Sequence, residues 1–295
     1  MKISIITPIY EGNQYLNGYL KNISVAAEEF INNRGNSVEV VLVNDSPWEV
    51  PEYDGSLIRG FQLKVIENSR NFGIHKSRIN GYWESTGDYI LFLDQDDLLT
   101  GPSLRALAKA IGRADIALGN GTFEKKKVTE DIFANNFSQD FATKPFVYKW
   151  IRDFIVSPGQ CLIKKSSIPE YWLNHPLKNN GTDDYFLWLL MFNAGAVMVS
   201  CREMVYIHRY TGVNYSLNDD KMFLSTREML HLLRNDPEFS AKDLRLIKRR
   251  IYYKRVDRSR KWLFMKESLM NLDILAINVL YRLVWRGCLI RKEEV

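Results

Sequence analysis

Apolar and polar positions along this chain follow two rhythms, one of strands and one of helices. Ile3-Ser4-Ile5-Ile6-Thr7-Pro8 is a short apolar run stopped by proline, as in a buried parallel strand. Leu16, Tyr19, Leu20, Ile23, Ala27 and Phe30 then recur at the spacing of one helical face. Asn33-Arg34-Gly35-Asn36 supplies a turn, and Val38 to Val43 is a second β-branched run. Together they predict a β-α-β unit, whose crossover is right-handed. Leu63 to Ile66 and Tyr89 to Leu93 predict two more strands, with a helix from about Ile74 to Glu84 between them. Pro102-Ser103 opens another helix, marked by Leu104, Leu107 and Ile111. This alternation predicts an α/β fold with a mainly parallel sheet flanked by helices.

From Gly121 to Trp150 the rhythm weakens, and the stretch reads as a loop-rich insertion. Gln160 to Lys164, Ala196 to Cys201 and Val205 to His208 predict short strands, and Asp184 to Asn193 an apolar helix. From Lys221 onward every periodic segment is helical. The chain therefore divides near residue 215, into an α/β domain over 1–215 and a helical extension over 216–295.

Composition narrows the class. A chain of 295 residues that is 46% hydrophobic and 25% charged folds into a core, which excludes a disordered protein. Cys161, Cys201 and Cys288 are too scattered for a disulfide framework or a metal knuckle, and read as small apolar residues in a reducing compartment. The first strand begins at Lys2, which leaves no room for a signal peptide, and no long uncharged apolar window predicts a membrane span. The expectation is a cytoplasmic protein. Its net charge of +5 conceals a division: residues 241–295 carry a balance of +9, so the rest carries −4. The two parts are therefore expected to meet different partners.

The sharpest chemical signal is Leu91-Phe92-Leu93-Asp94-Gln95-Asp96-Asp97. Three carboxylates follow a buried strand, at the edge where open α/β sheets bind ligands, and they repel one another unless a cation or donor stands between them. Oxygen-only ligands favour Mg²⁺ or Mn²⁺ over zinc. A solvated turn that caps the next helix is the plainer alternative. Val43-Asn44-Asp45 is a second strand ending in an acid, which converges on the same edge. After Asn71-Phe72-Gly73, Arg78 shares a helical face with Ile74 and Tyr82, an unusual place for a solvated cation and a suitable one for a diphosphate ligand. Asp183-Asp184 precedes an apolar helix; capping explains one acid, and the other can serve as a general base. His208 stands without a partner at ligand spacing and reads as structural. No GxxxxGK loop occurs, which disfavours ATPase chemistry of that type.

In this order, these signals resemble the inverting glycosyltransferases of family 2, which have the GT-A fold. The resemblance covers about residues 1–215 and rests on Ile5-Ile6-Thr7-Pro8-Ile9-Tyr10, Val43-Asn44-Asp45, Asn71-Phe72-Gly73 with Arg78, Gly87 to Asp97, and Asp183-Asp184. It implies that Thr7, Pro8, Tyr10, Asp45, Arg78, Asp94 and Gln95 surround a nucleotide-sugar. It also implies that Asp96 ligates a Mn²⁺ or Mg²⁺ ion on the diphosphate and that Asp184 deprotonates the acceptor hydroxyl. Asn44 stands where many relatives have a second acid, and Asp183 where a Glu is usual. The implied activity is transfer of a sugar from a nucleoside-diphosphate donor to a saccharide or lipid-linked acceptor, in surface polysaccharide or lipid-linked oligosaccharide synthesis.

Two other classes share some of these features. A haloacid-dehalogenase-type phosphatase also uses Asp-x-Asp after an apolar strand, but usually begins with it, whereas three strands precede it here. A nucleotide-binding scaffold without catalysis would not need acids at 94, 96 and 184 together. In the tail, Arg245 to Lys261 is interleaved with aromatic residues, and Leu272 to Trp285 is apolar but interrupted by Asp273, Asn278 and Arg282. Docking on an anionic membrane surface and packing on the catalytic domain both remain open for it. Nucleic acid is not expected, because no base-reading motif accompanies the charge.

Overall fold

The computed structural model describes residues 1–125, 128–210, 218–256 and 259–290, without the side chains of 128 and 284–290. Its centre is a mixed sheet in the order β3-β2-β1-β4-β8-β6-β9-β5, with β7 paired to β6. The first half is the predicted alternation: β1 (Lys2–Ile9), α1 (Asn13–Ile31), β2 (Ser37–Asn44), β3 (Gln62–Glu67), α2 (Ile74–Glu84) and β4 (Tyr89–Phe92), with β1 parallel to both β2 and β4. Parallel pairing puts the carboxyl ends of β1, β2 and β4 on one edge. Strand alternation sends side chains to two cores. Ile6, Val41 and Val43 face the core under α2, while Ile3, Ile5, Val40 and Leu42 face the one under α1 and α3 (Ser103–Ile111). The helical face from Leu16 to Phe30 is buried in the second core, as its spacing predicts.

The second half departs from expectation. Residues 121–150 are largely regular: β6 (Ile116–Lys125) and β7 (Val128–Asp131) form a hairpin, and α4 (Asn136–Ala142) and α5 (Pro145–Trp150) follow. The period was hidden because β6 is buried on both faces at one end and exposed at the other. The two strands expected over 196–208 are one, β9 (Met198–Arg209), parallel to β6 with register shifts beside Gly119 and Asn120. β5 (Leu98–Leu99) pairs with β9, and β8 (Cys161–Lys164) lies between β4 and β6. Beyond α6 (Glu170–Asn174) and α7 (Asp183–Asn193), the tail is helical as expected: α8 (Asp219–Asn235), α9 (Ala241–Lys254), α10 (Lys261–Met270) and α11 (Leu272–Ile290). The division near residue 215 falls outside the described residues. Met229, Leu233 and Ile247 of α8 and α9 join the core under α2.

Glu39 is a buried carboxylate in β2 that accepts hydrogen bonds from Ser4, from Thr86 Oγ1 at 2.7 Å and from the Gly87 amide at 3.1 Å, with Lys2 Nζ 3.3 Å away. Burial raises its pKa, but those donors outweigh burial and hold it down at about 2, against 4.5 ordinarily. Glu39 therefore contributes stability that is present above pH 4.5 and lost as the pH falls through about 2. Glu39→Gln is expected to lower the unfolding free energy by about 1.5–3 kcal/mol at pH 7 and to flatten acid unfolding in that window, measured by urea titration across pH.

Candidate active site

The edge formed by the ends of β1, β2 and β4 is bounded by the amino-terminal turns of α2 and α7. Asp45, one residue past β2, is 4% exposed and accepts three hydrogen bonds: from Asn68 Nδ2 at 2.8 Å and from the amides of Phe72 and Gly73 at 2.8 and 2.9 Å. The Asn71-Phe72-Gly73 segment is thus wrapped onto Asp45. Gly73 has φ +86°, and a Cβ there would lie 2.7 Å from Asn180 Oδ1, so glycine is required on both counts. That Asn180 oxygen also accepts from the Ile74 amide at 3.0 Å, which ties the loop before α7 to the start of α2.

Arg78 is the junction. It is 3% exposed, its Nη1 donates to Asp183 Oδ2 at 2.7 Å, and its Nη2 donates to Asp94 Oδ1 at 2.6 Å. Burial opposes its charge, but Asp183, Asp94 and Asp184 outweigh that and raise its pKa above the usual arginine value. Residues from four separate segments are therefore bound into one network, running from Asp45 through the 71–74 turn and Asn180 to Asp183, Arg78 and Asp94. Asp94 itself is raised, first by burial and also by the charges of Asp97 and Asp183, with Arg78 pulling the other way.

Gln95 is a clamp. Its Oε1 accepts from the Tyr10 amide and its Nε2 donates to the Tyr10 carbonyl, each at 3.0 Å. Gly12 makes room for it, since a Cβ there would lie 2.3 Å from Gln95 Oε1. The Tyr10 ring is 45% exposed and meets the exposed Trp48 edge-on at 6.0 Å. Pro8 is half-buried in β1, opposite Val43. Thr7 is fully buried, with its hydroxyl bonded to Tyr19. Asn44 is spent on the turn after β2, donating to the Glu49 carbonyl and Glu67 and accepting from the Ser46 amide.

Asp97 is buried and satisfied by Tyr206, by the Arg209 amide at 3.2 Å and by His208 Nδ1 at 3.0 Å. His208 is thus a partner of the acidic turn: burial lowers its pKa, but the Asp97 hydrogen bond and the charges of Asp97, Asp94 and Asp96 raise it overall. Asp96 is the half-buried carboxylate at the rim, with its pKa pushed up to about 6 by burial and by Asp97 and Asp94. A cation would relieve that strain of charge. Among the described residues no group of three or more His, Cys, Asp and Glu is arranged to hold a metal ion.

Asp183 and Asp184 open α7, where the helix dipole favours acids. Asp183 is taken by Arg78. Among the described residues Asp184 has no cationic hydrogen-bond partner, and its Oδ1 accepts the Tyr185 amide at 2.7 Å. Its pKa is raised well above the usual carboxylate range by burial, then by the charges of Asp153 and Asp183. Asp153, from a segment with no motif, was missed in the sequence, as was Arg250 of α9. Arg250 is 3% exposed and donates to Tyr185, the neighbour of Asp184, and to the Ile151 carbonyl at 2.9 Å. His75 is buried and neutral, its pKa lowered to about 4 chiefly by burial, and its Nδ1 accepts from the Leu177 amide at 2.9 Å.

Comparison with known proteins agrees with this geometry. Residues 4–172 match glycosyl transferase family 2, and the chain belongs to that family. It is 30% identical over 126 residues to glycosyltransferase GlyA of Streptococcus pneumoniae, covering 40% of this chain and 16% of the relative. It is 29% identical over 130 residues to a dolichol-phosphate mannosyltransferase of Pyrococcus furiosus, covering 43% and 35%. The matched segments are thus a minor part of those relatives. Among solved structures, TarS 1-349 of S. aureus in complex with UDP-GlcNAc superposes with a TM-score of 0.60 at 15% identity, covering 90% of this chain and 79% of that fragment. The mannosyltransferase PcManGT of Pyrobaculum calidifontis, with GDP-Man and Mn²⁺, gives 0.57 at 14%, covering 98% and 79%. These likenesses establish the GT-A fold.

Proposed function

We propose that this protein transfers a sugar, with inversion, from a nucleoside-diphosphate donor to an acceptor hydroxyl during synthesis of surface polysaccharide or lipid-linked oligosaccharide. The reading rests chiefly on the Arg78 bridge, which gathers Asp94 and the Asp183–Asp184 turn at the sheet edge beside the Asp45 turn. Nucleotide-sugars in TarS and PcManGT support the donor class. Tyr10 and Trp48 offer exposed rings for a base. Thr7, Pro8, Asp45 and Gln95 shape the cradle, while Arg78 and Asp94 fix its floor.

The acceptor oxygen attacks the anomeric carbon as the bond to the diphosphate oxygen breaks, and the electron pair leaves with the nucleotide. Asp184 takes the proton from the attacking hydroxyl. Asp96 would hold Mn²⁺ or Mg²⁺, which supplies positive charge against the departing diphosphate. Asp96→Asn is expected to weaken Mn²⁺ binding in the presence of donor by about tenfold or more, seen as loss of the Mn²⁺-dependent part of the donor's thermal shift.

The tail supports docking on an anionic membrane surface. No described helix is long and apolar enough to cross a membrane, yet Trp262, Met265, Leu269, Met270 and Leu272 are all more than half exposed on α10 and α11, near basic α9. The experiment that tests the function is a thermal-shift screen with UDP-, GDP- and dTDP-sugars plus Mn²⁺. One donor class is expected to stabilise the protein by a few kcal/mol at saturation, and a generic phosphate ester is expected to survive intact. Hydrolysis of that ester without any donor shift would favour the phosphatase instead.

A further inference from the structure

An apolar groove runs between α4, α5 and the last helix, α11. Phe137, Phe141, Phe146, Ile151, Leu280 and Tyr281 line it. Phe137 and Tyr281 each stack on Phe141, at 6.1 and 5.8 Å. Phe137 and Phe146 are nearly half exposed and Leu280 is 60% exposed, so the groove is open along its length. Its inner end is cationic. Arg152 lies over Phe154, 4.6 Å from the ring centre, and Phe154 in turn packs on Tyr281. The Ile151 carbonyl accepts from Arg250 Nη1 at 2.9 Å and from Lys254 Nζ at 2.6 Å. Ile151 therefore has its side chain in the apolar groove and its carbonyl under two cations.

This is an unusual concentration of positive charge. Arg152, Arg250 and Arg282 all act on Lys254, and Arg250 and Arg152 also act on Asp153. Arg250 is 3% exposed, and among the described residues its Nε has no hydrogen-bond partner, an expensive arrangement for a buried guanidinium. Lys254 is pushed down to about 7 by desolvation and by the charges of Arg250, Arg152 and Arg282, which marks the cluster as short of anions. Asp153 also acts on Asp184, so the cluster borders the turn that carries the base.

We propose that this groove and its cationic end seat an acceptor built on a hydrocarbon chain bearing a phosphate. The chain lies in the groove, the phosphate meets the exposed Arg152 and Arg282, and the hydroxyl to be glycosylated reaches Asp184. The proposal rests on the glycosyltransferase reading above. Two features select this occupant over a free saccharide. Guanidinium groups match phosphate oxygens in paired geometry. The same α11 that gives Leu280 and Tyr281 to the groove exposes Leu272, Val279 and Leu283, so the groove continues an apolar surface suited to delivery from a membrane.

The test uses the full chain and three probes: farnesyl phosphate, farnesol and inorganic phosphate, with binding followed by tryptophan fluorescence. Farnesyl phosphate is expected to bind at least about tenfold more tightly than farnesol, and inorganic phosphate not to displace it. Leu280→Glu and Arg152→Glu, both at exposed positions, are each expected to weaken farnesyl phosphate by about tenfold and to leave the donor's thermal shift unchanged. Circular dichroism checks their folding, and Leu280→Asn replaces Leu280→Glu if that variant unfolds. Equal binding of farnesol and farnesyl phosphate, or variants that bind like the parent, would overturn the proposal. So would complete displacement by phosphatidylglycerol vesicles, which would make this a bulk-lipid surface. Failure of the glycosyltransferase reading is read separately, as absence of any donor shift.

Discussion

Asp184→Asn is expected to bind donor as the parent does and to lose transfer by about 10²- to 10⁴-fold, the usual contribution of a positioned base. The variant keeps the shape of the side chain and removes only its ability to accept a proton, so the loss falls on kcat. Parental turnover in this variant would move the base elsewhere. The pH profile gives a second reading. Burial and the charges of Asp153 and Asp183 raise the Asp184 pKa, so at acid pH the carboxyl is protonated and idle. Transfer should rise with pH through that titration. Asp153, itself pushed up to about 7 mainly by burial, contributes to the shift. Asp153→Asn removes a neighbouring negative charge, and the acid limb should move to lower pH. A merely structural Asp153 would lower the rate at every pH without moving the limb.

Arg78→Met should be the most damaging single change to the site. It leaves Asp94 and Asp183 facing each other without the cation that bridges them, and truncating one partner of a buried ion pair costs about 3–5 kcal/mol. Asp94 is already raised by burial and by neighbouring acids, so the penalty should be full at neutral pH and shrink as acid protonates Asp94. Chemical denaturation of parent and variant at pH 7 and pH 4 measures it. Arg78→Lys should recover part of the stability, because one ammonium cannot bond both acids with the planar fork. Equal unfolding midpoints for parent and Arg78→Met would mean that the network is incidental to the fold. Donor binding should fail with the network, since the bridge fixes both sides of the cleft.

Strand ends were legible because each apolar run stops at a polar residue. Asp45 and Asp94 to Asp97 could be placed on one edge from that pattern and parallel pairing alone, whereas the Asp183–Asp184 turn, at the start of a helix, joined them only through the family resemblance. Arg78 was legible from its shared face with Ile74 and Tyr82, and it is buried as that face implies. What the pattern could not carry were roles set by contacts between distant segments. Gln95 stands between two acids in sequence, but its amide closes on the Tyr10 backbone. Arg250 sits among eight other basic residues between Arg245 and Lys261, in a tail that reads as a solvated face, yet it is buried against Tyr185 and Ile151. Asp153 lies beyond a stretch whose helices are only 7 and 6 residues long, too short to display a period. Strand β9 looks like two strands in sequence because Arg202 and Glu203 interrupt its apolar pattern where its register against β6 shifts.

The most direct measurement is the anomeric configuration of the first product, followed by proton NMR with the donor that stabilises the protein. A base on Asp184 opposite the departing diphosphate predicts a product with the configuration opposite to that of the donor sugar. A first-formed product with retained configuration, or no consumption of any nucleotide-sugar, would contradict the account.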